Sequence, residues 1–260
     1  MIATVITAKT LEEALEDIKM ASGADLIELR LDYIKDIDNE KIKRLIKSSG
    51  KPVIATNRKK DEGGLFQGSE EERLGLLKAA ADFGADFVDI EFSSARGLDL
   101  SQYGKVILSH HNFTETPADI AKYFEEMKRL NPEIIKIVTK ANSVTDNFVI
   151  FDLIKKSVEE KRRIAAFCMG PYGEFSRVLS VILGSEITYA SISKGKESAS
   201  GQITLDEMLN VYRVKKLNKD TKIYGLIGNP VEHSLSPRIF NSLFDTPNDN
   251  AVYIKFMVDR

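Results

Sequence analysis

The chain has 260 residues, 43% hydrophobic and 29% charged, with a formal net charge of -2, enough length for one large domain or two small ones. That balance gives no basic footprint for nucleic acid and no polybasic cluster for a membrane surface, and no apolar stretch approaches membrane-spanning length. Cys168 is the only cysteine, which excludes an intrachain disulfide, and Met1-Ile2-Ala3-Thr4 opens without a charged leader, so a cytoplasmic location is the default expectation.

Along the chain, short apolar runs alternate with longer segments of helical period, the pattern of repeated βα units. Strands are expected near 2–7, 25–30, 52–56, 86–91, 105–110, 134–139, 163–168 and 186–191. Between them, helical stretches run from Leu11 to Met20, Glu70 to Phe83, Ala118 to Leu130 and Val144 to Lys161. Eight strands in about 215 residues is compact for a (β/α)8 TIM barrel but within its range. An open doubly wound sheet is the main competitor. It would usually carry a glycine-rich loop after its first strand, and Thr7-Ala8-Lys9-Thr10 is not one.

An internal echo supports the barrel. Ser22-Gly23-Ala24-Asp25-Leu26-Ile27-Glu28 resembles Phe83-Gly84-Ala85-Asp86-Phe87-Val88-Asp89. Each copy places a glycine after a helix, where a left-handed cap is expected, then an apolar strand ending in an acid. The separation corresponds to two βα units, so Glu28 and Asp89 should reach the same C-terminal face of a parallel barrel.

After the polar junction Lys215 to Asp220, a fresh strand begins at Lys222-Ile223-Tyr224-Gly225 and a turn follows at Gly228-Asn229-Pro230. Ser236 then reads as an N-cap with Pro237 at the first helical position, and Ala251 to Val258 as another strand. The expected division is a barrel over 1–219 and a βαβ-like fragment of a second domain over 220–260. The fragment is too small to bury a core alone.

Polar residues gather where the barrel strands end. The most telling is Lys136, set in the apolar run Ile134-Ile135-Lys136-Ile137-Val138. Desolvation should push its amine toward neutrality unless a carboxylate pairs with it, and a neutral amine in a dry pocket suits Schiff-base chemistry with a ketone. An edge-strand lysine snorkelling to water is the bland alternative. Glu28-Leu29-Arg30-Leu31-Asp32 could be salt-bridged barrel filling. Yet Arg30, Arg58 and Arg177, with a lysine and a histidine on one face, fit a small anionic, hydroxylated ketone. His110 and His111 should point to opposite faces of their strand, so one metal could not easily take both, and no HExxH pattern exists. A general acid/base role suits histidine better, with Glu62 as a candidate orienting partner.

Glu28-x-Arg30-x-Asp32, Arg58 with Glu62-Gly63-Gly64, Ser109-x-His111-Asn112-Phe113, Lys136 and Ser198-Ala199-Ser200-Gly201-Gln202 together resemble type I 3-dehydroquinate dehydratase over about residues 1 to 215. The resemblance implies a (β/α)8 barrel of the shikimate pathway that converts 3-dehydroquinate to 3-dehydroshikimate without metal or cofactor. It implies Lys136 as the Schiff-base lysine, His111 as the proton carrier and Glu62 as its partner. Glu28, Arg30 and Arg58 would contact the ring hydroxyls or support such contacts, and Arg177 would hold the substrate carboxylate. Ser198 and Gln202 would lie in the loop that closes over the ligand, where Lys194 and Lys196 read as solvated charges. Members of the family are often dimers, so a homodimer is expected.

Residues Gly225 to Pro237, Gly-Leu-Ile-Gly-Asn-Pro-Val-Glu-His-Ser-Leu-Ser-Pro, resemble the opening of shikimate dehydrogenase. There the serines matching Ser234 and Ser236 would contact a substrate carboxylate. The family's catalytic lysine and aspartate and its NADP-binding domain would lie beyond Arg260, so no dehydrogenase activity is expected of these residues, as from a piece of a two-enzyme fusion. Two other readings remain. One is a class I aldolase, which would want phosphate-binding glycines near the seventh and eighth strands. The other is a barrel that senses a pathway intermediate without catalysis.

Overall fold

Eight short strands pair side by side, all parallel: β1 (Ile2–Ile6), β2 (Leu26–Arg30), β3 (Val53–Thr56), β4 (Phe87–Glu91), β5 (Val106–Asn112), β6 (Ile134–Lys140), β7 (Ile164–Met169) and β8 (Thr188–Ser191). In this computed structural model, residues 1–244 and 249–259 are described. Strand order is β7-β6-β5-β4-β3-β2-β1-β8, a barrel with one unladdered seam between β7 and β8. The Glu186 amide crosses that seam to the Ile164 carbonyl at 2.6 Å, and the Ala166 amide donates to Ser185 Oγ at 3.2 Å. The strands are near-continuous apolar runs because helices cover the outer face while side chains fill the inside. The expected (β/α)8 architecture is therefore the observed one.

The expected helices form as α1 (Leu11–Met20), α3 (Glu70–Asp82), α4 (Ile120–Arg129) and α5 (Asp146–Glu159), joined by α2 (Asn39–Ser48) and α6 (Ser176–Ile182). Side chains close their first turns. Thr10 accepts from the Glu13 amide, Asp38 from the Lys41 amide, and Ser69 and Glu72 form a reciprocal capping box. Two of the eight helix positions hold only short turns, a 3-10 turn at Leu100–Tyr103 after β4 and π and 3-10 turns at Glu207–Val211 and Val214–Lys216 after β8. This economy is what fits eight strands into so short a chain.

The two echoed glycines serve different ends. Gly84 takes φ +98°, the left-handed cap expected of it. Gly23 does not adopt a left-handed φ. An added Cβ there would lie 2.6 Å from Leu209 Cδ1, so packing rather than backbone conformation selects glycine. The acids that follow are equivalent: Asp25 accepts from the Ile2 amide and Asp86 from the Val53 amide, both at 2.8 Å.

Beyond the barrel, β9 (Lys222–Gly228), α7 (Ser236–Leu243) and β10 (Ala251–Met257) form a two-stranded parallel βαβ unit. Ser236 is not the N-cap. It is the first helical residue, and the Ser234 hydroxyl accepts from its amide at 3.2 Å. Val252 and Ile254 bury themselves in the same apolar cluster as Met208, Tyr212 and Val214, which ties the unit to the barrel. No helix among the described residues is long and apolar enough to cross a membrane. Removing one cap tests the local account: Ser69→Ala should cost about 1 kcal/mol in urea unfolding without changing the slope.

Candidate active site

Strand alternation explains why so many polar side chains share the barrel mouth. Glu28 and Arg30 on β2, Asp89 and Glu91 on β4, Ser109 and His111 on β5, and Lys136 and Val138 on β6 are each two residues apart. One pocket takes in all nine residues expected from the sequence: Glu28, Arg30, Arg58, Glu62, His111, Lys136, Arg177, Ser198 and Gln202.

Lys136 does not snorkel; its side chain is 6% exposed. Its Nζ lies 2.9 Å from Asp89 Oδ2 and 3.3 Å from Glu28 Oε1, and 4.2 Å from the centre of the Tyr189 ring. The condition set by the sequence is met on its second branch: two carboxylates, Asp89 and Glu28, pair with the amine. Asp89 also takes Arg58 at 2.8 Å and the Ser109 hydroxyl at 2.6 Å, while Glu28 accepts from Thr56 Oγ1 at 2.9 Å. Glu91, between Arg58 at 3.4 Å and Arg73 at 2.8 Å, extends the alternation of charges outward. Burial alone would raise the Asp89 carboxyl, but Arg58 and Lys136 outweigh it and hold the group well below the usual carboxylate range.

His111 and His110 point opposite ways, as alternation requires. His110 stacks on Tyr123 of α4, ring centres 4.2 Å apart, whereas His111 lines the pocket. Burial, reinforced by the charge of Arg58, pushes the His111 imidazole down to about 4. Its Nδ1 lies 3.1 Å from Glu62 Oε2, and Glu62 Oε1 accepts from Ser93 at 2.8 Å. Burial would raise the Glu62 carboxyl, but His111 and Arg58 bring it below its ordinary value. An ionised Glu62 can only accept, so Nδ1 carries the proton and Nε2 keeps a lone pair. The glycines after Glu62 make this approach feasible. Gly63 takes φ +76°, and a Cβ on Gly64 would lie 1.9 Å from the Arg58 carbonyl oxygen.

The three arginines differ in their company. Arg30 forms a bidentate pair with Asp32 at 2.9 and 2.7 Å, so the Glu-x-Arg-x-Asp motif is part barrel filling and part lysine partner. Arg58 is neutralised by Asp89. Arg177, 1% exposed, has no carboxylate in ion-pair range among the described residues. Its Nε lacks a partner, its Nη2 makes one long contact of 3.5 Å to the Ser200 carbonyl, and its guanidinium lies 4.5 Å over the Phe167 ring. Burial lowers its guanidinium to about 10. A buried cation without a counter-ion is a ready site for an anion.

Ser198 and Gln202 face the pocket from the loop after β8, where Gln202 Oε1 accepts from the Ser198 amide at 2.7 Å and its hydroxyl at 3.2 Å. Lys194 is exposed, as expected. Lys196 is not a solvated charge: it pins the loop to α1 through buried Asp17 at 2.7 Å. Sequence reasoning left out the aromatic lining from Phe167 and Tyr189, whose ring centres are 5.9 Å apart, and Val5. It also left Asp89 as a strand-ending acid rather than the lysine's partner. The inward register of Phe167 and Tyr189 was the only available signal.

A family model described as Type I 3-dehydroquinase matches residues 2–219. The chain is 36% identical over 247 residues to the chloroplastic bifunctional 3-dehydroquinate dehydratase/shikimate dehydrogenase of Arabidopsis thaliana, covering 92% of this chain and 40% of that protein. It is 41% identical over 204 residues to a 3-dehydroquinate dehydratase of Dehalococcoides mccartyi, covering 76% of this chain and 89% of that one. The solved dehydroquinate dehydratase and shikimate dehydrogenase structure from S. pombe AroM superimposes with a TM-score of 0.71 at 24% identity, a likeness of fold over 100% of this chain and 52% of that one. The chain thus spans less than half of the Arabidopsis relative and most of the Dehalococcoides one. It belongs to the type I 3-dehydroquinase family.

Proposed function

We propose that this chain dehydrates 3-dehydroquinate to 3-dehydroshikimate through an imine on Lys136. The observation that carries the reading is one pocket holding a sequestered lysine amine, a neutral histidine and an arginine without a counter-ion. The substrate's carboxylate pairs with Arg177, replacing the missing anion. Glu28, Arg30, Arg58, Ser198 and Gln202 surround the ring, its hydroxyls finding donors and acceptors among them. The ketone carbon then lies toward Nζ of Lys136.

The steps follow from the charges. Lys136 gives up a proton and its nitrogen lone pair attacks the carbonyl; the carbonyl oxygen leaves as water, giving an iminium ion. That cation is an electron sink for the adjacent C–H bond, whose proton departs to leave an enamine. The enamine expels the neighbouring hydroxyl, which takes a proton and leaves as a second water. Hydrolysis of the resulting conjugated iminium consumes one water, releases the product and restores the amine. His111, with a free Nε2 lone pair, carries protons in these steps, and Glu62 fixes its tautomer. Asp89 stays an anion throughout and serves to hold the nitrogen cation, in ammonium or iminium form, at the mouth of the barrel.

The proposed division is a catalytic barrel over 1–219 and a shikimate dehydrogenase-like opening segment over 220–260, of which 245–248 and 260 lie outside the described residues. The resemblance of Gly225–Pro237 supports that assignment, and the Ser234 and Ser236 hydroxyls lie 3.1 Å apart, close enough to serve one anionic group. A homodimer is the accompanying proposal, supported by the family resemblance.

Purified protein given 3-dehydroquinate should generate the ultraviolet absorbance of a conjugated enone, and Lys136→Ala should not; equal absorbance from both would reject the imine. His111→Ala should lower kcat by about 10²–10⁴-fold, with His110→Ala close to wild type. Because the free enzyme's imidazole titrates near 4, the acid limb of kcat/KM assigned to His111 should fall near pH 4, since the base is lost only below that value. A limb near pH 6.5 that vanishes in His111→Ala would contradict the assigned environment.

A further inference from the structure

We infer that the C-terminal βαβ unit acts as a brace for the dehydratase site, with Phe256, Lys255 and Asp259 as positioning residues that set Arg177. This rests on the reading of Arg177 as the carboxylate holder. The contacts converge on one turn. Arg177 is the second residue of α6, and the segment from Gly170 to Phe175 delivers it from the end of β7. Three residues of that segment are each held by the end of β10 or the chain just beyond it. Tyr172 Oη donates to Asp259 Oδ2 at 2.5 Å, Glu174 pairs with Lys255 at 3.3 Å, and Phe175 packs on Phe256 with ring centres 4.9 Å apart.

The turn itself transmits position rather than absorbing it. The amides of Gly173, Ser176 and Arg177 donate to the carbonyls of Gly170, Gly173 and Glu174 at 3.0, 2.9 and 3.2 Å. Ser176 Oγ ties the turn back to β7 by accepting from the Cys168 amide at 2.8 Å. A Cβ on Gly173 would lie 2.5 Å from the Met169 carbonyl oxygen, so the segment is packed against its own strand. The same turn touches the loop that carries Ser198 and Gln202, through the Gly170 amide and Ser200 carbonyl at 3.1 Å. Among the described residues, the one hydrogen bond of the Arg177 guanidinium reaches that same Ser200 carbonyl.

The βαβ unit is built around this contact. Gly225 of β9 leaves the space that the Phe256 ring fills, since a Cβ there would lie 2.3 Å from Phe256 Cε2. Among the described residues no acid fixes the Arg177 guanidinium, so beyond the Phe167 ring and the Ser200 carbonyl its placement depends on the backbone that delivers it. Moving the turn therefore moves the anion site while leaving Lys136 and His111 on β6 and β5 untouched.

The test is a double-mutant cycle in the full chain, with steady-state kinetics on 3-dehydroquinate and a thermal melt for each variant. Phe256→Ala should raise KM roughly tenfold with kcat nearly unchanged, and Phe256→Leu should restore most of the loss. The pair Lys255→Met with Asp259→Asn repeats the experiment without emptying the apolar contact, should Phe256→Ala fail to fold. In an Arg177→Ala background the same substitutions should leave KM within about twofold, because the residue they position is gone. An unchanged KM in the brace variants, or an equal rise in both backgrounds, overturns the brace while Arg177 keeps its role. An Arg177→Ala enzyme with unaltered KM overturns the carboxylate reading and the brace with it.

Discussion

A lysine nitrogen held between two carboxylates inside a barrel is the constraint on which the rest of the site depends. Taking such a cation out of water is costly, and the interior tolerates it only with good geometry and complete hydrogen bonding of the partners. Asp89 meets that demand with Lys136, Arg58 and Ser109, and Glu28 with Lys136 and Thr56. Glu91 and Arg73 extend the alternation one layer further, so removing any member strands a charge. The network places the amine and keeps Asp89 a persistent anion, a poor proton carrier. In the proposed mechanism the carrier is the group kept neutral beside it, His111.

The same ledger of charge separates the arginines. Arg30 and Arg58 are spent on Asp32 and Asp89, and their guanidinium planes are fixed before any ligand arrives. Arg177 is equally buried yet unmatched, stacked on Phe167. A site with one surplus, desolvated cation selects an anionic ligand and orients it, because an approaching carboxylate gains the pairing that the protein withholds. In the proposed reading, position along β2, β4, β5 and β6 then decides which ring atom meets the amine.

Much of this was legible in the amino acids. Most barrel strands announced themselves by an apolar stretch, because burial on both faces confines polar side chains to the strand ends. Lys136 stood out against such a run, and the acid-ended repeat placed Glu28 and Asp89 on the same face, where both now touch it. Other features had no linear signal. Phe167 and Tyr189 look like core residues, and only barrel closure aims them at the pocket. The pairing of Lys136 joins residues 47 and 108 positions apart, so no local pattern reports it. Lys196 reads as a loop charge until α1 brings Asp17 against it. Gly23 looked like a helix cap because sequence cannot distinguish a glycine chosen for φ from one chosen for the room that Leu209 occupies. α6 is too short to show a period, whereas α2 carries Ile42, Leu45 and Ile46 at helical spacing.

Borohydride reduction in the presence of 3-dehydroquinate, followed by peptide mass spectrometry, tests the central claim most directly. A stable adduct on the peptide containing Lys136, absent without substrate, is the result this account predicts. An adduct on a different lysine, or full turnover with no reducible adduct at all, would contradict it.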